Sequence, residues 1–462
     1  MKAHRIPGLL SSLGLIFLIN TEHLAWAQAP AGIATPSTTS TVAVCPPAAT
    51  SAVANLRATW PQALYSAAAA CPAVVASPAA APSPVAAATP IPPLTTPAVT
   101  GPLQFASPTP IDLTGVIGLS EAPKPIADLL KFDINGVVSG IGITQTHADN
   151  GDRTARADAS NAQVIIQKAD GLIQYFLEVG AYSFPIVGSP YISSGKAVDQ
   201  LFSPLPVGYL KIAPNSNFSL LAGNLPTLFG AEYPFTFENI NIERGLLWNQ
   251  EPIISRGVQA NYTFGPLSAS LSWNDGFYSD SYTWLTGELA WAINSANTFS
   301  FVGGGNIGYS SFSNFATPVL ANNSQIYDII YTYSNAPWIF QPWFQFTIIP
   351  HHPDLGVFKT TSTSSAAILA SYALTDKFFL GGRIEGINST GTAANGSANV
   401  LYGPGSTAWS ITLTPTYQFK NFFMRGEASF IQAVNYTSGD VFGSQNQHPT
   451  QVRGAIETGL LF

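Results

Sequence analysis

The chain has 462 residues, of which 9% are charged, and its formal net charge at pH 7 is -7. Soluble domains carry roughly 25% charged residues, so this composition disfavours an ordinary soluble protein, and the acidic balance disfavours nucleic acid as a partner. Apolar residues make up 46% of the chain. After the N-terminal segment, however, no stretch of about 18 uninterrupted apolar residues predicts a membrane helix.

The first 27 residues have the pattern of a secretory signal peptide. Lys2 and Arg5 precede an apolar stretch over residues 9–19, and residues 25–27 (Ala-Trp-Ala) fit the small-x-small cleavage rule. We therefore expect residues 1–27 to be removed on export.

Residues 28–125 are dominated by Ala, Pro, Thr and Ser. Such a composition buries too little side-chain area to offset the entropy of ordering, so it predicts a mostly disordered periplasmic arm. One short helix is predicted over residues 48–70. The two cysteines, Cys45 and Cys71, flank it, and an oxidising periplasm permits a disulfide between them; two unpaired thiols are the alternative.

From residue 126 onward the sequence alternates between apolar and polar residues, the period of a β-strand. The clearest segment is 407–419, where Trp409, Ile411 and Leu413 share one face and Ser410 and Thr412 share the other. Extended and tilted by about 40°, such a segment covers roughly 20 Å of height, close to the apolar band of an outer membrane. The length predicts a spanning strand.

About sixteen such strands are predicted in residues 126–462, an even number as single-chain bacterial barrels require; fourteen or eighteen are alternatives. Their starts are Ile134, Ala162, Leu172, Val207, Asn217, Ile254, Leu267, Tyr282, Thr298, Gln325, Trp338, Ala366, Phe378, Thr407, Phe422 and Thr450. In lipid, open sheet edges would leave backbone groups unpaired, so the sheet must close. The sequence therefore predicts an all-β, antiparallel, up-and-down transmembrane β-barrel.

The connections between these strands alternate in length. Short turns such as 420–421 and 265–266 alternate with long connections such as 189–202 and 225–252, the asymmetry of periplasmic turns and external loops. The last strand ends on Phe462, which resembles the assembly signature of bacterial outer-membrane proteins. The barrel-assembly machinery and outer-membrane lipid are therefore predicted partners.

Charged residues within the predicted strands lie opposite apolar neighbours. Arg or Lys facing lipid at the membrane midplane costs about 2 to 4 kcal/mol, so these side chains should face the lumen. The pore-lining candidates are Glu178, Lys211, Glu288, Asp328, Arg383, Glu385, Arg425, Glu427, Arg453 and Glu457. They can form an inter-strand ion-pair ladder that stiffens the wall, or a constriction field that sorts solutes. Arg256 shares the apolar face and is predicted at a rim or a bulge.

The sequence offers little for catalysis or metal binding. His147, His351, His352 and His448 fall at predicted loops or strand ends, so a Ser and a His facing each other on the barrel wall are not predicted. His351 and His352 lack the spacing of a known metal site. We predict no enzyme activity, no metal and no cofactor.

Four segments resemble the OmpL-like β-barrel porin family of Gram-negative bacteria. They are Phe176-Leu-Glu-Val-Gly-Ala-Tyr182, Ala222-Gly-Asn-Leu-Pro-Thr-Leu-Phe-Gly-Ala-Glu232, Asn239-Ile-Asn-Ile-Glu-Arg-Gly-Leu-Leu247 and Arg256-Gly-Val-Gln-Ala-Asn-Tyr262. The resemblance covers about a quarter of the chain and implies a porin without naming a solute.

The leading hypothesis is therefore an outer-membrane porin with a water-filled channel for passive diffusion of small hydrophilic solutes, its arm in the periplasm. The alternative is a structural or adhesive outer-membrane barrel with a closed pore and an arm that faces the cell wall. Energised transport is disfavoured, because the arm lacks the composition of a folded plug domain. A homo-oligomer is left open.

Overall fold

The computed structural model describes residues 103–105, 107–114 and 124–462. The predicted signal peptide (1–27), the predicted helix (48–70) and the pairing of Cys45 with Cys71 lie outside these residues. Among the helices in the described ranges, none has the length and apolar character needed to cross a membrane.

The described residues form seventeen strands, and every strand pairing is antiparallel. The strands are β1 Thr109–Asp112, β2 Lys131–Gln145, β3 Ala155–Lys168, β4 Ile173–Tyr182, β5 Val207–Ile212, β6 Phe218–Pro226, β7 Ile254–Phe264, β8 Leu267–Asn274, β9 Trp284–Asn294, β10 Asn297–Asn306, β11 Gln325–Asn335, β12 Trp338–Ile349, β13 Thr361–Thr375, β14 Phe378–Ser389, β15 Thr407–Phe419, β16 Phe422–Val434 and β17 Thr450–Leu461. Short helical turns are Lys124–Leu129, Ser194–Ala197, Val198–Phe202, Thr236–Glu238, Leu247–Gln250, Val319–Asn322, Pro353–Leu355 and Ala393–Asn395.

Strands β2 to β17 form a closed barrel of sixteen strands. Each pairs with the next in sequence, and β17 pairs with β2 from Arg453 opposite Gln145 to Leu461 opposite Val137. Beyond that register, Phe462 and Gly136 exchange two backbone hydrogen bonds of 2.7 and 2.9 Å. The closure satisfies the backbone groups that an open edge would expose to lipid. The predicted fold class and strand number are confirmed.

Strand β1 lies outside this ring. It pairs with the first residues of β2, from Thr109 opposite Ile134 to Asp112 opposite Lys131, past the point where β17 ends. The sequence predicts that residues up to 125 belong to a mostly disordered arm. The described part of that arm instead contributes a strand to the sheet.

Most predicted strand starts agree with the structure within three residues. Two strands begin more than three residues earlier than predicted, β3 at Ala155 and β13 at Thr361. The start of β3 alternates Ala with polar residues, and the start of β13 is Thr and Ser on both faces. Neither stretch has the apolar contrast from which a strand is recognised.

The two ends of the barrel differ as predicted. At one end, here called the turn end, strands are joined by turns as short as 265–266 and 420–421. At the other, here called the loop end, the connections are long and include 183–206 and 227–253. The connection 227–253 does not extend away from the barrel. It folds back into the lumen and contacts the charged residues of the inner wall.

Candidate functional site

The barrel wall has an apolar outer face and a polar inner face. On β15, Trp409, Ile411 and Leu413 are exposed, whereas Ser410 and Thr412 between them are buried. In a closed barrel the exposed set faces lipid and the alternate set faces the lumen. This alternation assigns every strand residue to one of the two faces.

The connection 227–253, here called the inserted loop, lies inside the barrel. The Thr236 hydroxyl donates to Glu457 on β17 (2.6 Å), the Leu246 amide to Glu385 on β14 (2.7 Å) and the Gly230 amide to Asp328 on β11 (2.9 Å). Apolar residues of the loop are also buried: Phe229, Phe235, Phe237, Ile240, Ile242, Leu246, Leu247 and Trp248. The loop therefore fills the lumen along β14 to β17 and reaches the wall at β11.

Arg383 on β14 joins the wall to the middle of the inserted loop. Its guanidinium donates to Glu232 (2.6 Å) and to the Glu243 carbonyl (2.7 Å) of the loop. On the wall it donates to Glu385 (3.0 Å) and to the Thr412 hydroxyl (3.2 Å). The planar fork of arginine suits such a multidentate contact.

Two further arginines connect the last strands to the same loop. Arg453 on β17 donates to Glu243 (2.6 Å). Arg425 on β16 donates to the loop carbonyls of Asn239 and Ile240 (2.9 and 2.8 Å) and pairs with Glu457 at 3.4 Å. Because all these groups are buried, each depends on its partners for compensation.

The predicted ladder of wall charges is only partly an inter-strand ladder. Arg383 pairs with Glu385 within one strand, and Arg425 pairs with Glu457 on the adjacent strand. Glu427, on the same strand as Arg425, instead accepts hydrogen bonds from the Ile242 and Glu243 amides and from the Thr414 hydroxyl. The sequence could not show the first two contacts, because Ile242 and Glu243 belong to the inserted loop.

All ten predicted site residues lie on the inner face. Nine are buried, and Glu288 on β9 is half-buried. Glu178 accepts a hydrogen bond from Gln163 (2.9 Å) rather than from a basic group. The inserted loop contacts seven of the ten: Asp328, Arg383, Glu385, Arg425, Glu427, Arg453 and Glu457.

Sequence reasoning missed the charged residues of the inserted loop, which were read as part of an external loop. They are Glu232, Glu238, Glu243, Arg244 and Glu251. Arg244 is fully buried, donates to the Ser183 carbonyl (3.3 Å) and lies 5.4 Å from the ring centres of Phe184 and Trp248. The available signal was the number of large apolar residues in 227–253, which is unusual for a solvated loop.

The opposite side of the lumen is less densely filled. Inward-facing polar residues on β7 to β10 remain partly solvent-accessible: Asn261, Thr263, Ser268, Ser270, Glu288, Thr298 and Ser300. Their counterparts on β15, such as Ser410 and Thr412, are almost completely buried. The lumen is therefore asymmetric.

At the turn end, the described arm residues 103–105 also pack inside. Leu103 is buried in the apolar cluster that contains Val137 and Leu461, and Phe105 meets Phe237 edge to face at 5.6 Å. The Gln104 amide donates to the side chain of Gln418, which donates back to the Gln104 carbonyl. The described end of the predicted arm therefore packs inside the barrel.

Arg256 lies at the loop end of β7, at the rim where it was predicted. Its guanidinium donates to Asp275 (2.8 Å), forms an ion pair with Asp280 (2.7 Å) and covers the Tyr278 ring. The charge of Arg256 is compensated by Asp275 and Asp280 outside the lumen. This explains how an arginine is tolerated at a strand position whose alternate neighbours face lipid.

Within the described residues there is no group of three or more His, Cys, Asp or Glu side chains placed to hold a metal ion. His351 and His352 lie in the connection 350–360, and His147 and His448 stack on each other in two loops with ring centres 3.9 Å apart. The predicted loop positions of these four histidines are confirmed.

A closed antiparallel barrel of sixteen strands is apolar outside and polar inside, with the connection 227–253 folded into its lumen and the connection 183–206 packed against it. Such a barrel defines a protein of the outer-membrane porin class. Residues 131–462 match the profile of the family described as putative beta-barrel porin-2, OmpL-like. Since this match covers most of the chain, the protein belongs to that family.

A comparison with solved structures found outer-membrane proteins. OmpT of Vibrio cholerae is 12% identical, with a TM-score of 0.48 over 72% of this chain and 98% of that one. An anion-selective porin from Comamonas acidovorans is 12% identical, with a TM-score of 0.48 over 72% and 99%. The outer membrane channel DcaP of Acinetobacter baumannii is 13% identical, with a TM-score of 0.47 over 72% and 97%. A comparison with curated protein sequences found no match.

Proposed function

We propose that this protein is a non-enzymatic outer-membrane porin through which small hydrophilic solutes diffuse passively. The observation that carries the proposal is the asymmetry of the lumen. The inserted loop fills the side of β14 to β17, whereas polar side chains on β7 to β10 keep part of their surface in contact with solvent. The solute path runs along β7 to β10.

The chemistry of this path favours polar solutes over apolar ones. Its lining consists of hydroxyl and amide groups, which replace part of the hydration of a polar solute at little cost. Glu288 is the carboxylate of that lining, and the arginines of the wall are engaged by the inserted loop. We therefore expect a modest preference for cations.

Single-channel recording in planar bilayers tests this proposal on the refolded mature chain. We expect discrete conductance steps, and a reversal potential in a salt gradient that indicates cation preference. Glu288→Gln should move the reversal potential towards zero, because it removes the carboxylate in the path. Asp354→Asn, which removes a carboxylate from the exposed turn Pro353–Leu355, is the matched control and should leave selectivity unchanged.

A structural barrel with a closed pore is the second candidate. The specific observation in its favour is that two segments occupy the lumen. The inserted loop packs against the inner wall, and residues 103–105 pack at the turn end. A folded, membrane-inserted protein that produces no conductance steps would favour this candidate over the porin. Steps that persist in the presence of the whole arm would exclude it.

Recognition by the barrel-assembly machinery is proposed to involve the last strand. The Phe462 ring lies directly over Gly136, where an added Cβ would come within 2.4 Å of the ring. Its backbone completes the pairing of β17 with β2. The C-terminal residue thus lies at the seam that must close last, which suits a signal read during assembly. The turn end and the arm are proposed to face the periplasm.

A further inference from the structure

Carboxyl groups outnumber basic groups between the inserted loop and the wall it contacts. The carboxyls are Glu232, Glu238, Glu243, Glu251, Asp328, Glu385, Glu427 and Glu457, and the basic residues are Arg244, Arg383, Arg425 and Arg453. An isolated charge away from water is very costly unless it is paired or neutralised. Half of these carboxyls therefore need a partner other than arginine.

Four of the eight are paired with arginine: Glu232 and Glu385 with Arg383, Glu243 with Arg453, and Glu457 with Arg425. Glu427 accepts three hydrogen bonds, and Glu238 accepts the Phe235 amide at the start of the turn Thr236–Glu238. Glu251 and Asp328 remain. Neither forms an ion pair with any basic residue in the described part of the chain.

These two carboxyls lie on either side of Gly230. The Gly230 amide donates to Oδ2 of Asp328 (2.9 Å), and a Cβ added to Gly230 would lie 2.3 Å from Oε2 of Glu251. Gln345 connects them along the wall, because it is the register partner of Asp328 and its Nε2 donates to Oε1 of Glu251 (2.7 Å). The inserted loop, β11 and β12 therefore meet at one point.

Each of the three residues has one oxygen without a hydrogen-bond partner: Oδ1 of Asp328, Oε2 of Glu251 and Oε1 of Gln345. All three side chains are completely buried. Buried acceptors are normally satisfied, and three of them on residues that contact one another require an explanation. The nearby donor is the indole Nε1 of Trp343 on the same strand, which lies beside Asp328 and can serve only that carboxylate.

Two explanations account for the free oxygens. A proton shared by the carboxyls would remove one negative charge, and its O–H could donate to the carbonyl oxygen of Gln345, but the second carboxylate would stay charged and unpaired. A cation would satisfy all three oxygens and neutralise both carboxylates. Carboxylate and amide oxygens are the ligands that Ca²⁺ takes in proteins, with water completing the coordination.

We propose that Glu251, Asp328 and the side-chain carbonyl of Gln345 form a binding site for a divalent, oxygen-preferring cation of the Ca²⁺ type. The ion joins both ends of the inserted loop, at Gly230 and Glu251, to β11 and β12, several strands away from Arg425 on β16 and Arg453 on β17. Two carboxylates and one neutral oxygen make a site of moderate strength, with a dissociation constant of about 10⁻⁴ to 10⁻³ M. Gly230 is required there because a side chain would displace the Glu251 carboxylate.

Terbium luminescence tests the site in the refolded full-length mature chain in zwitterionic detergent. Tb³⁺ replaces Ca²⁺, and Trp343, two residues from Gln345, can sensitise its emission. We expect sensitised emission that Ca²⁺ displaces, and its loss to background in Asp328→Asn and in Glu251→Gln. Trp343→Phe should weaken the emission but leave Ca²⁺ protection against thermal unfolding unchanged.

Glu238→Gln is the matched control, because it neutralises another loop carboxyl that lacks an arginine partner but lies in the middle of the loop, away from Gly230 and Glu251. It should bind Tb³⁺ as the unmodified chain does. Heat-modifiable gel mobility confirms that each variant is folded. The proposal is overturned if the folded unmodified chain gives no displaceable emission, or if emission survives in both carboxyl variants.

Discussion

Replacing Arg383 by Met tests whether ion pairs hold the inserted loop in the lumen. Methionine keeps much of the length of the side chain and removes the guanidinium. Glu232 on the loop and Glu385 on β14 then lose their shared cation, and the Glu243 carbonyl loses a donor at 2.7 Å. Both carboxyls are fully buried, so water cannot replace the lost partner while the loop stays docked.

The size of the effect follows from the burial. Removing one partner of a buried ion pair costs about 3 to 5 kcal/mol, because the other charge is left uncompensated. Undocking the loop returns Glu232 and Glu385 to water and relieves this cost. The equilibrium between docked and undocked loop should therefore move towards the undocked state by roughly 10² to 10⁴-fold.

Two assays report on the loop separately. Single-channel conductance should rise in Arg383→Met, because an undocked loop widens the lumen, and protease should cleave within 227–253 at sites protected in the unmodified chain. Arg256→Met is the control, since it also breaks ion pairs but with Asp275 and Asp280 at the rim. If Arg383→Met folds and keeps both its conductance and its protease resistance, the ion pairs do not hold the loop.

Three further outcomes are expected. Leu271→Arg should lower stability in lipid by about 2 to 4 kcal/mol because Leu271 faces lipid, whereas Ser270→Arg should fold and move the reversal potential towards anions. Removing residues 28–102 should leave conductance unchanged, whereas removing 28–105 should raise it, since Leu103 to Phe105 occupy the turn end. Burial raises the pKa of Asp149 in the connection 146–154 to about 7, which disfavours its charged form in the folded state. Stability should therefore be highest below the unfolded pKa and fall as pH rises through about 7, a dependence that Asp149→Asn should reduce.

Refolding into lipid vesicles, bilayer recording and pH-dependent thermal unfolding measure these three effects in turn. Equal tolerance of the two arginine variants would show that the register of β8 is wrong. Identical conductance for the two deletions would mean that residues 103–105 do not narrow the passage. An unchanged pH profile in Asp149→Asn would assign the dependence to another group.

The strands could be predicted from the sequence because each one repeats the same local contrast. Along β15 every second residue is apolar and faces lipid, and a register error would place Ser410 or Thr412 in the membrane. Lipid is a uniform environment, so the outer face imposes the same requirement on every strand. Local information was therefore sufficient for strand number, direction and the face of each charge.

The content of the lumen could not be predicted in the same way. Whether Glu427 meets Arg425 or the amides of Ile242 and Glu243 depends on contacts between residues far apart in sequence. The alternation along β16 shows that the Glu427 side chain points into the lumen. It does not show which residues of the inserted loop contact that side chain. One of the segments that resemble the porin family, residues 239–247, belongs to the inserted loop. The resemblance did not indicate that this segment lies inside the lumen.

The inserted loop also constrains the order in which the barrel assembles. Its partners lie far ahead in the chain: Leu246 binds Glu385 after 139 residues, Ile242 binds Glu427 after 185, and Thr236 binds Glu457 after 221. These contacts require β14, β16 and β17 respectively, so the full set cannot form until the last strand is in register, and loop closure over such separations is slow. The charged inner wall therefore forms while still hydrated, and loses its water only when the loop docks at the end of folding.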